Sequence, residues 1–255
     1  MADKAAKSNR PKYDLNAAGR RRDLLVRIGL TSIVVIFAVV LVGYIVISHD
    51  KKTAANEARG IRVTSSKLVV KDGTHDPKAV VAFYEDFLCP ACGNFERGFG
   101  PTVSKLIDSG AIAADYYMTG FLSHPQNQDY SSRAANAAYC VADESIDAFR
   151  RFHTALYTKD IQPSETGTSF PDNARLTELA REAGVVGKVP QCIKDGKYLP
   201  MVDGLVAAAH IHATPTVRIN GQDYEFSTPQ AFVDKIKGIV GDVPGIDSAA
   251  TPPAS

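Results

Sequence analysis

The apolar residues of this chain do not follow one rhythm. Residues 28–47 form an unbroken uncharged run dominated by Ile, Val, Leu, Phe and Ala. At about 1.5 Å per helical residue, such a run reaches about 30 Å, the thickness of a bilayer's hydrocarbon core. Further on, residues 67–71 make a short β-rich run, and residues 80–84 (VVAFY) a continuous apolar run of strand length, suited to a central strand covered on both faces. After Cys92, apolar positions fall at Phe95, Phe99, Val103, Leu106 and Ile107, which predicts a helix kinked by Gly98, Gly100 and Pro101. Residues 112–118 predict the next strand, parallel to the first across the helix.

From about residue 124 to 201 the pattern is helical throughout: an Ala-rich stretch over 130–142, Phe149, Phe152 and Leu156 at helical spacing, and a similar stripe over 176–183. A helix over 202–212 follows, then a strand over 215–219, the turn Asn220-Gly221 and a partner strand over 224–226. Thr228 as N-cap and Pro229 at the first position open a last helix that buries Phe232, Val233, Ile236 and Val240. The order β-β-α-β, helical block, α-β-β-α predicts an α/β fold interrupted by a helical insertion.

Five segments result: a basic tail (1–27), a transmembrane signal anchor (28–47), a tether (48–66), one folded domain (67–240) and a disordered tail (241–255) with three prolines. Lys4, Lys7, Arg10, Lys12, Arg20, Arg21, Arg22 and Arg27 precede the apolar run, against Asp3, Asp14 and Asp23. The positive-inside rule then keeps the N-terminus in the cytoplasm and places the domain outside, in a single-pass cell-membrane topology. Residues 48–52 (SHDKK) make a poor cleavage site, which favours an uncleaved anchor, while Arg21-Arg22 leaves a twin-arginine route open.

Composition adds exclusions. Of 255 residues, 45% are hydrophobic and 22% charged, the usage of a globular protein, and a net charge of +1 gives no footing for nucleic acid. The four cysteines are too few for a disulfide-stapled miniature fold.

Chemistry concentrates at Cys89-Pro90-Ala91-Cys92, directly after the buried strand and at the start of a helix. A thiol there meets the positive end of the helix dipole and free backbone N–H groups, which favour thiolate. Cys92, one turn inward, is placed to attack a mixed disulfide at Cys89. A half zinc site and a purely structural three-residue disulfide compete; the first lacks further ligands, and the second closes too small a loop to stabilise much. Cys140 and Cys192, in the helical block, most simply pair as a structural disulfide in an exported protein. His210 and His212 read as surface or packing residues, and His49, His75, His124 and His153 give no pattern. No metal site is expected.

Asp86-Phe87-Leu88-Cys89-Pro90-Ala91-Cys92, Ala213-Thr214-Pro215-Thr216 before a strand, Asn220-Gly221 and the helical block between them resemble the DsbA-like thiol–disulfide oxidoreductases of the thioredoxin superfamily. Within that group the chain is most similar to the membrane-anchored DsbA-like proteins of actinobacteria such as mycobacteria, over about residues 67–240. The resemblance implies a thioredoxin fold with a helical insertion, Cys89 as nucleophile, Cys92 as resolving thiol, and Thr214 with a cis-Pro215 lining the substrate site. Pro90 and Ala91 would tune redox poise. No cofactor is implied. The substrates would be unfolded exported polypeptides, and a vitamin K epoxide reductase-like membrane protein would reoxidise the site.

Two positions depart from the family. Ala91 stands where enteric DsbA enzymes have His, which removes a cation beside the thiolate. Phe83 stands where relatives place a buried acid, six residues before the first cysteine. Glu85 and Asp86 are the available substitutes for proton transfer, although solvated strand-end charges are the favoured reading of both. The expected activity is an oxidase, with a reductase or isomerase using the same residues as the alternative and a peptide-binding chaperone as the reading from another class. No stretch of sequence supplies a dimerisation domain, so a monomer is expected.

Overall fold

The computed structural model describes residues 60–250, together with Leu30, Ile36, Phe37 and residues 39–41. The chain divides into two compact units, Met1–Asp50 and Lys51–Ser255. In the first, the six described residues are helical and expose their apolar side chains. Most of the 28–47 run lies outside the described residues, and among these no helix is long and apolar enough to cross a membrane.

The second unit is built on five strands: β1 (Ile61–Val63), β2 (Val80–Glu85), β3 (Ala113–Met118), β4 (Thr216–Ile219) and β5 (Gln222–Asp223). Their order across the sheet is β1-β3-β2-β4-β5. The expected parallel pair is β2 with β3, in register Phe83 opposite Tyr116 and Glu85 opposite Met118. All other pairings are antiparallel. The central strand β2 has fully buried Val81, Phe83 and Glu85, as its apolar run requires.

The helices are α1 (Pro90–Asp108), α2 (Tyr130–Glu144), α3 (Ile146–Leu156), α4 (Asn173–Glu182), α5 (Val189–Asp195), α6 (Leu199–Ala208) and α7 (Pro229–Val240). Helix α1 runs unbroken through Gly98, Gly100 and Pro101 and packs against α7. In the insertion, α2 is the hub, touching α3, α4, α5 and α6. Its Ala-rich sequence lets neighbours approach closely: Ala134, Ala135, Ala137 and Ala138 are all fully buried. Thr228 caps α7 by accepting from the Ala231 N–H, and Phe232, Val233, Ile236 and Val240 are buried, as expected.

Five sequence readings need correction. Residues 60–66, read as the end of a tether, contain the edge strand β1; Ile61 and Val63 are buried while Arg62 reaches out to pair with Asp115 at 2.7 Å. The run 67–71 is no sheet strand. It folds back through Gly73 (φ 72°) and makes only an isolated bridge, Val70 with Pro77. Asn220 and Gly221 both have positive φ, so the hairpin closes at once and β5 is Gln222–Asp223 rather than 224–226. The helix expected to reach residue 212 ends at Ala208. At the C-terminus, Val243, Ile246 and Ala249 are buried against the core, so the stretch from 241 to 250 belongs to the domain; residues 251–255 lie outside the described ones.

Candidate active site

Strand β2 delivers its last residues into a short loop that ends at Cys89, the N-cap of α1, with Pro90 at the first helical position. Asp86 builds this loop. Its Oδ1 accepts the Leu88 N–H at 2.7 Å, its Oδ2 accepts the Leu122 N–H at 2.8 Å, and its carbonyl accepts the Cys89 N–H at 3.0 Å. Gln162, from the segment after α3, holds the loop from the other side: its Nε2 donates to the carbonyls of Phe87 (3.2 Å) and Cys89 (3.0 Å). Arg97 secures Gln162 by donating to its Oε1 at 3.1 Å, and also bonds the Tyr157 carbonyl at 2.7 Å. Gly93 makes room for this contact, since a Cβ there would fall 2.0 Å from the Gln162 Oε1.

Cys89 and Cys92 are both free thiols, Cys89 7% exposed and Cys92 fully buried. Hydrogen bonding from Cys92, then from Thr214 and the backbone N–H groups of Cys92 and Ala91, outweighs burial and lowers the Cys89 pKa to about 5. Burial, followed by the Cys89 thiolate and the charge of Glu85, pushes Cys92 far up, so it remains a thiol. The peptide bond between Thr214 and Pro215 is cis, and the Thr214 carbonyl lies 3.3 Å from the Cys89 sulfur. The structure therefore gathers Cys89, Pro90, Ala91, Cys92, Thr214 and Pro215 at one place. Cys140 and Cys192 are joined in a disulfide that ties α2 to α5, with Cα atoms 5.8 Å apart.

The reading of Glu85 and Asp86 as solvated charges is overturned: both are fully buried. The apolar stretch of β2 continues past Tyr84 into a site closed by the helical insertion, which a strand-end acid in the sequence does not reveal. Burial raises Asp86 to about 6 against its backbone hydrogen bonds, and raises Glu85 to about 8. His153 of α3, which the sequence left without a role, places its Nε2 2.8 Å from Glu85 Oε2 and its Nδ1 3.9 Å from Glu96 Oε2. Its pKa falls through burial while that of Glu85 rises, so near pH 7 this contact is a hydrogen bond between neutral groups rather than an ion pair. Glu96 is also raised, by burial and then by the neighbouring Glu85 charge. The signal for His153 was its helical phase, one turn after Phe149 on the buried stripe. Glu85, Glu96 and His153 are also the one group among the described residues with metal-ligand atoms within 4.8 Å of one another. His210 and His212 are exposed.

A helix-capping thiolate, a buried partner thiol and a neighbouring carbonyl on this sheet define a thiol–disulfide oxidoreductase with a thioredoxin fold. The sequence model of the Thioredoxin family matches residues 68–237, and the chain belongs to that family. Among solved structures it is similar to reduced DsbA from Mycobacterium tuberculosis, with 74% identity and a TM-score of 0.74 over 75% of this chain and 97% of that one. It is also similar to the reduced disulfide bond oxidoreductase DsbG from Mycobacterium tuberculosis, with 70% identity and a TM-score of 0.76 over 81% of this chain and 99% of that one. Among curated proteins it is 31% identical over 147 residues to the serine/threonine-protein kinase PknE of Mycobacterium tuberculosis, covering 56% of this chain. The chain spans only 25% of the length of that kinase. The DsbA-type neighbours and the dithiol together make this protein a protein thiol–disulfide oxidoreductase.

Proposed function

We propose that the protein is an oxidase that donates the Cys89–Cys92 disulfide to folding exported polypeptides. The observation that carries this is the asymmetry of the two thiols: Cys89 titrates at about 5 without any cation in the dipeptide, while Cys92 is held neutral. A substrate thiolate attacks the Cys89 sulfur, and Cys92 departs with the electron pair and takes up a proton. A second substrate thiolate then attacks the substrate sulfur of the mixed disulfide and releases Cys89 as a stabilised thiolate. A low pKa makes Cys89 a good leaving group and stabilises the reduced enzyme, so its disulfide is readily given away. Thr214, beside the Cys89 sulfur, presents its backbone to the substrate, with Pro215 lining the same groove. Glu85, neutral near pH 7 and near enough to act on Cys92, is the proton donor to it; Asp86, bonded to two backbone N–H groups, serves mainly to shape the loop.

The setting proposed for this chemistry is extracytoplasmic, with residues 28–47 as a single-pass anchor in the lipid bilayer, the N-terminus in the cytoplasm and the domain acting as a monomer. A vitamin K epoxide reductase-like membrane protein is the proposed reoxidant, on family resemblance.

Equilibration of the Cys89–Cys92 pair with glutathione tests the direction of electron flow. Thiols with pKa of about 3.5 and about 7 accompany potentials of about −120 mV in DsbA and about −270 mV in thioredoxin, so a value between them is expected here. A value at or below the thioredoxin end would assign a reductase, the direction that Ala91 in place of a cation favours.

Titrating the thiolate absorbance of the reduced protein should give a midpoint of about 5 for Cys89. Because folding lowers this pKa, the reduced protein gains stability that is fully present above the ordinary thiol value of 9.0 and is lost as pH falls through about 5. The oxidised protein has no such thiolate. The gap in thermal stability between the two forms should therefore move in favour of the oxidised form as the pH is lowered from 9 towards 5; a gap independent of pH would contradict the assignment.

A further inference from the structure

Cys92 is fully buried, yet each turnover that leaves it as a thiol requires a proton to arrive there. A polypeptide joined to Cys89 and seated against Thr214 closes the thiol face. On another side, α1 and α3 enclose a cavity of about 360 Å³ whose wall includes Glu96, His153 and Tyr157 but neither cysteine nor Glu85. Its rim residues Arg97, Pro101, Thr154 and Thr158 are exposed, so the cavity opens to solvent.

We infer that this cavity is the inlet for the proton that neutralises Cys92, and that Glu96 and His153 relay it to Glu85. The inference rests on the reading of Glu85 as the donor to Cys92. One imidazole faces both acids, with Nε2 at 2.8 Å from Glu85 and Nδ1 at 3.9 Å from Glu96. A neutral imidazole accepts a proton on one ring nitrogen as it gives one from the other, so it can pass a proton without a lasting charge in a buried site. A carboxylate oxygen of Glu85 also lies within 4.8 Å of one of Glu96. Step by step, the Cys92 thiolate takes the carboxyl proton of Glu85, Glu85 takes the Nε2 proton of His153, Nδ1 takes the proton of Glu96, and Glu96 recovers one from the solvent in the cavity. The net change is one solvent proton delivered to one thiolate and the His153 proton moved from Nε2 to Nδ1, with no change in electron count; proton release from Cys92 on reoxidation runs the path backwards and restores the tautomer.

The surroundings suit such a path. From β3, Tyr116 faces the cluster; from the end of α3, Tyr157 does so, and its hydroxyl has no hydrogen-bond partner. Both are phenols whose pKa burial raises, so they remain neutral. Two cations line the cavity: Arg150 is paired with Asp108 at 2.8 Å, and Arg97, at the rim, is held by the Tyr157 carbonyl and the Gln162 Oε1. Asp86 acts on Tyr157 and is committed to the loop N–H groups.

The test is the single-turnover rate of mixed-disulfide formation between the oxidised full-length protein and a cysteine peptide, in light and heavy water. His153→Ala and Glu96→Gln are each expected to slow it by about 10²-fold, the lower range for loss of a general acid–base group, and to enlarge the solvent isotope effect. Imidazole added to His153→Ala should enter the enlarged cavity and restore the rate, whereas 1-methylimidazole, of similar size but with one usable nitrogen, should not. Equal rescue by both compounds, or parental rates and isotope effects in both variants, overturns the inference. Glu85→Gln separates the two ideas. If Glu85→Gln is slow while His153→Ala and Glu96→Gln are parental, only the route is wrong; if Glu85→Gln is itself parental, the reading of Glu85 as donor falls, and the relay with it.

Discussion

Cys89→Ser should abolish disulfide exchange with peptide substrates, whereas Cys92→Ser should accumulate a covalent adduct. The two cysteines differ in access and charge. Cys89 is 7% exposed at the head of α1 and is a thiolate at neutral pH; Cys92 is fully buried and neutral. Only Cys89 can meet an incoming sulfur, and a serine oxygen in its place cannot form the mixed disulfide through which exchange proceeds. In Cys92→Ser the Cys89 thiolate still attacks a substrate disulfide and releases one substrate thiolate, but no internal thiol can resolve the bond formed, so adducts with disulfide-bearing substrates should appear as a mass shift that reductant removes. Measured by peptide oxidation and by mass spectrometry, the pair of outcomes defines the roles. Full activity in Cys89→Ser towards unfolded proteins would instead place the function in peptide binding, with the dithiol idle.

The second large effect falls on stability. Joint replacement of Cys140 and Cys192 by alanine is expected to cost about 4 kcal/mol, the loop-entropy value for a cross-link of this span. The separation is 52 residues, and the bond connects α2, the hub of the insertion, to the short α5. Against a total stability of about 5–15 kcal/mol for a domain, this is a large share. Denaturant unfolding of the double variant should show a lowered midpoint, while exchange at Cys89 continues at the parental rate, because neither helix contributes to the thiol pair. A loss below about 1 kcal/mol would mean that the unfolded chain gains little freedom when the bond is absent.

Much of this was visible in the sequence because the signals were local. The VVAFY run, a C-x-x-C at the head of a helical stripe, Thr-Pro before a strand and the Thr228-Pro229 helix start each carry their meaning within a few residues. What escaped depends on contacts between distant segments. Glu85 looks like a solvated strand end until α3 covers it, and His153 is one polar residue in an aromatic stripe until it meets an acid 68 positions away. Ile61 and Val63 alternate with Arg62 over too short a span to stand out; their strand is defined by pairing with β3. Val243, Ile246 and Ala249 sit among Pro, Gly and Ser residues, and composition hid their burial. Gln162 carried no signal at all: an amide in a loop gains its role only from the carbonyls of Phe87 and Cys89.

That amide also bears on how such domains can be recombined. The helical block interrupts the thioredoxin framework between β3 and β4, and by topology alone it looks like a removable module, an ornament open to replacement by a shorter one. Yet the block supplies the side chain that grips the reactive loop, and α1 in turn has fitted itself to that grip with a glycine at 93. A chimaera carrying a foreign insertion would inherit the cysteines and the sheet but lose the brace on the Cys89 carbonyl. Exchange between family members therefore has to move α1 and the insertion together, as one heritable unit.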